Sequence, residues 1–318
     1  MEKGHLALQP VDRVEITSLM DNYVDSLLAS EEGIKRPPVS HSNGEMRPTL
    51  LAEHGFSVLI KTFSGNESRT ILMDAAMSAK GLLHNLEHLE IDMSPVEAVV
   101  LSHGHFDHRA ALSEVLARIG SESLPVHLHP DAFLNRRIIF PDKRLFIMPP
   151  FLEESLETVG ARVVRTKAPQ LLAGDTVGLT GEVDRKNDFE KGFPIHYAER
   201  DGEIVPDPWI WDDQALLVHV LGKGLVVVTG CGHSGIVNTL DYARTLTGIR
   251  EVHAVMGGFH LTGGLFESII PPTVESLSEL GPRWMIPTHC TGWKAIKEFQ
   301  NHFEENFIQN SVGTVYQF

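Results

Sequence analysis

The sequence predicts a layered α/β or α+β sandwich, with mixed β-sheets inside and helices on the outer faces, and three observations lead to it. Short β-branched and apolar runs recur in both halves of the chain, helical patterns lie between several of them, and Gly222-Lys223-Gly224 separates two apolar runs. Alternating strand and helix calls for parallel pairing beneath covering helices. The glycine-flanked turn reads as a hairpin, which requires antiparallel pairing, so the sheets must be mixed.

Taken in order, the predicted strands span 56–61, 70–74, 96–102, 126–129, 215–220, 225–229, 252–256 and 284–287. The stretch 109–119 is a predicted helix, because Leu112, Val115, Leu116 and Ile119 fall at i, i+3, i+4 and i+7, one apolar face. With 318 residues, 42% of them hydrophobic, the chain can bury a large core. It contains neither an internal repeat nor a low-complexity linker, which favours a single domain over 1–318. The stretch at about 141–211 is rich in Pro, Gly and charge, with GEVDRKNDFEKGFP at its centre, and reads as an insertion or lid over one end of the sheets.

Charge and composition narrow the function classes. Twenty-seven basic against 42 acidic residues give a net charge of −15, which works against binding nucleic acid or an anionic membrane. A small anionic substrate is still compatible, since bound metal ions could supply local positive charge. The N-terminal sequence has no apolar stretch of signal-peptide length, and no run approaches the ~18 apolar residues of a membrane span. The expectation is a soluble, cytoplasmic protein acting on a small molecule, with homo-oligomerisation left open. In that setting Cys231 and Cys290 are expected as free thiols or in metal chemistry, not as a disulfide.

The chemistry concentrates where the strand at 96–102 runs into His103-Gly104-His105-Phe106-Asp107-His108. Two histidines at i and i+2 in extended chain point the same way, and a turn after Phe106 can bring Asp107 and His108 to a neighbouring point. Imidazole nitrogens beside a carboxylate suit Zn²⁺ or another borderline first-row ion. Two further strands end at histidines: 225–229 leads into Gly230-Cys231-Gly232-His233, and 284–287 into Thr288-His289-Cys290. Neither a Ser-His-Asp arrangement nor a phosphate-cradling loop motif competes for the chemistry.

H-x-H-x-D-H after a strand resembles the signature of the metallo-β-lactamase superfamily. The resemblance implies a four-layer αββα sandwich and two divalent ions, zinc first among Zn, Mn, Fe and Mg. By position, His103 and His105 would join the first site with His233, and Asp107 and His108 the second with His289. Asp74, about thirty residues upstream at a strand end, would orient the histidine loop. Cys231 stands where the superfamily usually has a bridging aspartate, and could be a thiolate ligand or a small buried residue. AEHGFS at 52–57, DDQALLV at 212–218, GCGHSGIVN at 230–238, GGFHL at 257–261 and THCTG at 288–292 resemble the dihydropterin-aminobenzene ribofuranosyl phosphate synthase branch. Arg109-Ala110-Ala111 departs from it, standing where a threonine and glycines are expected.

The expected activity is hydrolysis by a water activated between two ions, with Asp107 orienting it as well as binding. A pterin-type condensation and a metal-bound ligand-binding module without catalysis are the alternatives. His260, also past a strand, could touch substrate, act as an acid or add a ligand; His54 has a similar reading. Arg185 and Lys186, with Lys191, could meet an anionic substrate. His196 and the remaining histidines receive no functional role.

Overall fold

Residues 5–318 are described by the computed structural model. Alternation along the strands divides the core into three layers. In Gly224–Thr229, buried throughout, Val226 and Val228 pack into one cluster while Leu225 and Val227 pack into another. Val96–Val100 behaves alike: Ala98 and Val100 face the same cluster as Val226, whereas Val99 turns to a third. The shared cluster lies between two sheets, and each remaining cluster lies between a sheet and its helices. Strands covered on both faces read as continuous apolar runs, which is why the sequence exposes them.

The first sheet has eight strands, in the order Ile34–Lys35, Val315–Gln317, Arg13–Met20, Ser57–Ser64, Glu67–Met73, Val96–Val100, Pro125–Leu128 and Arg162–Arg165. The second has six: Gln170–Leu172, Val177–Leu179, Ala215–Val220, Gly224–Thr229, Val252–Gly258 and Trp284–Thr288. Both are mixed, with the Gly222 turn joining an antiparallel pair and Gly224–Thr229, Val252–Gly258 and Trp284–Thr288 running parallel. Ala79–His88 and Leu112–Ile119 cover the first sheet, and Ile236–Thr247, Ile270–Leu280 and Trp293–Phe303 cover the second. The fold is therefore the four-layer αββα sandwich. No helix among the described residues is long and apolar enough to cross a membrane.

Two expectations are corrected. The helix predicted over 109–119 begins at Leu112, because Phe106–His108 forms a short 3₁₀ turn and Arg109 leaves helical geometry to bond the Gly104 carbonyl. The stretch 141–211 is not one continuous insertion. Its middle supplies Arg162–Arg165 to the first sheet and Gln170–Leu172 and Val177–Leu179 to the second. Its flanks, from Arg136 onward, build a separate four-stranded sheet of Glu203–Pro206, His196–Arg200, Arg136–Ile139 and Leu145–Ile147. Strands of three or four residues with half-exposed faces carry too little periodicity to stand out.

Parallel strands followed by crossover helices place their exits on one rim, where open α/β sheets carry their ligands. Asp74, His103, Gly230, Phe259 and His289 all follow directly or closely on such strands.

Candidate metal centre

The rim geometry starts from Asp74, fully buried and in the left-handed region at φ 60°. This backbone conformation is uncommon for a residue other than glycine, and here it turns the carboxylate under the histidine loop. Its Oδ1 accepts the Ser102 N–H at 2.7 Å, and its Oδ2 accepts the Ser102 hydroxyl at 2.7 Å and His108 Nδ1–H at 2.7 Å. Ser102 Oγ lies 2.9 Å from His103 Nδ1. Gly230 closes over this knot: a Cβ there would meet Ser102 Oγ at 2.0 Å, so no larger residue fits. Gly104 is similarly required, since a Cβ would lie 2.2 Å from the Ala132 carbonyl oxygen.

Above this support the candidate ligands fall into two adjoining groups. His103, His105 and His233 offer one nitrogen each within 4.8 Å of one another, and Asp107, His108, Cys231 and His289 form a second set on the same criterion. Within the first, His233 Nε2 lies 3.2 Å from His105 Nδ1. Within the second, Asp107 Oδ2 lies 3.2 Å from His289 Nε2, and Cys231 Sγ lies 3.1 Å from His108 Nε2. The His103 and His108 rings are 4.3 Å apart, so the groups share a wall.

Whether these residues suit metal ions can be judged from their unused atoms. His103 Nε2 is buried without a hydrogen-bond partner, and His289 Nε2 has only the Asp107 carboxylate beside it. Buried imidazole nitrogens are normally paired, so such lone pairs facing a cluster of others fit cations. Burial and the neighbouring histidines hold His103, His105 and His233 well below imidazole's ordinary range, in the neutral form that ligates. Burial alone would push Asp107 up, but His108 and His289 outweigh it and hold the carboxyl below the usual range. Burial would lower His108, but Asp107 and Asp74 raise it to about 9, so this ring carries a proton that a metal would displace.

Cys231 occupies the second group, as the thiolate reading requires, while burial pushes its thiol well up. Only an ion in contact would hold it deprotonated. Cys231→Ser should then cut affinity for one of two bound ions at least tenfold and leave the other unchanged, because a hydroxyl is a poor ligand for a borderline-soft ion. Metal titration of the variant checks this, and two unchanged affinities would return Cys231 to a packing role.

The remaining predicted residues divide. His260, at φ 41°, lies 4.2 Å from the His233 ring, tilted by 51°, with its Nδ1 buried and unpartnered, and forms a third close group with Cys231 and His233. His54 is 55% exposed, with Nε2 3.7 Å from Asp107 Oδ2. Arg185 lies over the rings of both Trp209 and Trp211 and donates to the carbonyl oxygens of His233, Trp209 and Ile210. Lys186 is exposed, and its backbone N–H donates to Asn238 Oδ1. Lys191 lines a cavity of about 110 Å³ together with His233 and His260.

Sequence reasoning misses several supports. Asn22 brackets His289, its amide donating to the His289 carbonyl at 2.9 Å and its Oδ1 lying 3.3 Å from Nδ1, while Asp21 Oδ1 accepts the His289 N–H at 2.8 Å. Asp212, from the DDQALLV motif, accepts the Gly104 N–H at 2.8 Å and pairs with buried Arg136. His196 reaches His105, with the two Nε2 atoms 3.0 Å apart. Of these, only Asp212, in the DDQALLV motif, carries a sequence signal; Asp21, Asn22, Arg136 and His196 carry none.

Residues 50–247 match the sequence profile of the Metallo-beta-lactamase superfamily. Over 275 residues, 84% of this chain and 90% of the relative, the sequence is 34% identical to the 7,8-dihydropterin-6-methyl-4-(beta-D-ribofuranosyl)-aminobenzene-5'-phosphate synthase of Methanocaldococcus jannaschii. A solved structure described as a metal-dependent hydrolase of the beta-lactamase superfamily superposes with a TM-score of 0.71 at 26% identity, covering 96% of this chain and 98% of that one. A diphosphatase of the PhnP family shares the fold, with a TM-score of 0.50 at 13% identity over 96% of this chain and 97% of that one.

Proposed function

The chain belongs to the metallo-beta-lactamase superfamily, and we propose that it is a dinuclear metallohydrolase acting on a small, phosphate-bearing substrate. The observation that carries this reading is the pair of adjoining ligand groups whose buried lone pairs face one another. His103, His105 and His233 would hold one ion, and Asp107, His108, His289 and Cys231 the other, zinc being the ion that best suits three imidazoles and a mixed N/O/S set. Divalent ions so held lower the pKa of water and polarise a phosphoryl or acyl oxygen.

The chain's own residues do the rest. Asp107, 10% exposed, would be the acceptor that orients an attacking water. His54, on the solvent side of Asp107, is placed to exchange protons between the site and bulk water. Lys191, which lines the same cavity as His233 and His260, would meet the anionic part of a substrate. In a protein of net charge −15, substrate attraction would then depend on the ions and on such local cations.

A second reading rests on the 34% identity to the M. jannaschii synthase: a pterin-type condensation at the same centre, in which a phosphorylated ribofuranosyl compound is activated in place of water. One experiment separates the two. The protein reconstituted anaerobically with Zn²⁺, Mn²⁺ or Fe²⁺ should bind about two ions per chain, and is then offered phosphomonoesters, cyclic phosphodiesters, lactones and thioesters. Metal-dependent hydrolysis of a phosphoester supports the proposal. Activity only when a dihydropterin and a phosphorylated ribofuranosyl-aminobenzene are supplied together would transfer it to the synthase reading, and a folded chain that binds no metal would end both.

A further inference from the structure

A ligating imidazole has one nitrogen for an ion and one for the protein, and the protein's partner fixes which nitrogen keeps the proton. For His103, His108 and His289 that partner comes from the two large sheets or their exits: Ser102, Asp74 and Asn22. His105 is different. Its Nδ1 faces His233 and its Nε2 points outward to His196, which begins the strand His196–Arg200 of the small third sheet.

His196 is fully buried, with both ring nitrogens engaged. Its Nδ1 lies 2.9 Å from the backbone carbonyl oxygen of Asp207, which can only accept. Nδ1 therefore carries the proton, and in a neutral ring Nε2 is left as an acceptor. Among the described residues the hydrogen-bond partner of this nitrogen is His105 Nε2, at 3.0 Å, which against that acceptor is the donor. The proton of His105 is thereby placed on Nε2, and the lone pair falls on Nδ1, the atom directed at His233 and the first ligand group. The far end of the relay is anchored as well: the Asp207 carboxylate lies 3.3 Å from Arg200 Nη2 and 3.8 Å from Arg136 Nε.

We propose that His196 is a positioning residue for the first metal site, holding His105 in the tautomer that presents Nδ1 to the ion. The assignment rests on the metal reading above and adds to it that the third sheet helps build the first site. Without an acceptor at 196, His105 has two poor choices. It can keep a buried N–H without a partner, or move the proton to Nδ1 and lose its lone pair toward the ion.

The test is Co²⁺ titration of the full chain, followed by visible absorption, for wild type, His196→Leu and His196→Gln, with unfolding of each metal-free protein measured beside it. Wild type should take up Co²⁺ in two steps. In His196→Leu one step should weaken by about 10–100-fold with an altered absorption band, while the other stays as in wild type. His196→Gln, whose amide oxygen can accept from His105 Nε2–H, should recover most of the affinity and the band. Wild-type affinities and spectra in folded His196→Leu would overturn the assignment, as would equal impairment of Leu and Gln or equal weakening of both steps. If His196→Leu fails to fold, the Gln variant decides: recovery supports the relay and its absence refutes it. Failure of wild type to bind Co²⁺ would instead refute the metal reading itself.

Discussion

Asp107→Asn should leave the chain folded and lower turnover by at least ~100-fold, the metal-dependent step losing about 2.7 kcal/mol or more. The substitution keeps the side chain's volume and removes its charge. His289, at 3.2 Å, and His108, at 3.7 Å, then lose the anion that sits between them, and an ion in the second group loses its carboxylate ligand. The first group is untouched, because His103, His105 and His233 draw their support from Ser102, His196 and the loop around Arg185. Metal titration should therefore show one weakened equivalent and one unchanged. Asp74→Asn should differ, since Asp74 reaches no ion and instead holds Ser102 and His108. It should loosen both equivalents, with a smaller fall in kcat at saturating metal. Near-normal turnover in Asp107→Asn with the second ion absent would mean that one ion suffices for the chemistry.

The contrast between these variants shows what the sequence can carry. His103, His105, Asp107 and His108 lie in one run after a strand, so backbone geometry alone brings them together, and the motif can be read from spacing. His233 and His289 are legible for a related reason: each follows a buried apolar strand, and parallel strands must exit on one rim. The eight predicted strands all coincide with members of the two large sheets, differing only at their ends. Strand Arg13–Met20 escapes notice although Val14 and Ile16 alternate correctly, because Ser18 and Thr17 break the apolar run.

The supports of the site are less legible because they come from far along the chain. Asn22 meets His289 across 267 residues and His196 meets His105 across 91, separations that no local pattern encodes. The third sheet is harder still. Its strands are short, and Leu145–Ile147 is exposed along its whole length, so it lacks the one-sided apolar alternation that marks a strand. Arg185 illustrates the converse: a basic residue in a charged loop reads as a phosphate contact, yet its guanidinium meets loop carbonyls and two tryptophans.

Among the supports, Arg136 should give the largest stability effect, because Arg136→Met leaves Asp212 buried without its cation. Asp212 is fully buried; Arg136 bonds both of its oxygens, and Oδ2 also accepts the Gly104 N–H at 2.8 Å. Removing one partner of such a pair costs about 3–5 kcal/mol, whereas replacing both can be nearly neutral. The double variant Arg136→Met, Asp212→Asn should recover much of the loss, since the Asn carbonyl still accepts from Gly104. The pH dependence follows from the sign of the shift. Burial would raise the Asp212 carboxyl, but Arg136 outweighs it and holds it well below its ordinary value, so the pair's contribution is present above the unfolded carboxyl's range and fades in acid. Without Arg136 burial prevails and the carboxyl rises, so the variant should fall furthest behind wild type near pH 7 and close the gap toward pH 4. Denaturant unfolding of the metal-free proteins at both pH values reads this directly. A deficit independent of pH, shared equally by the single and double variants, would mean that Arg136 acts through packing and its bond to the Asp131 carbonyl, not through the charge of Asp212.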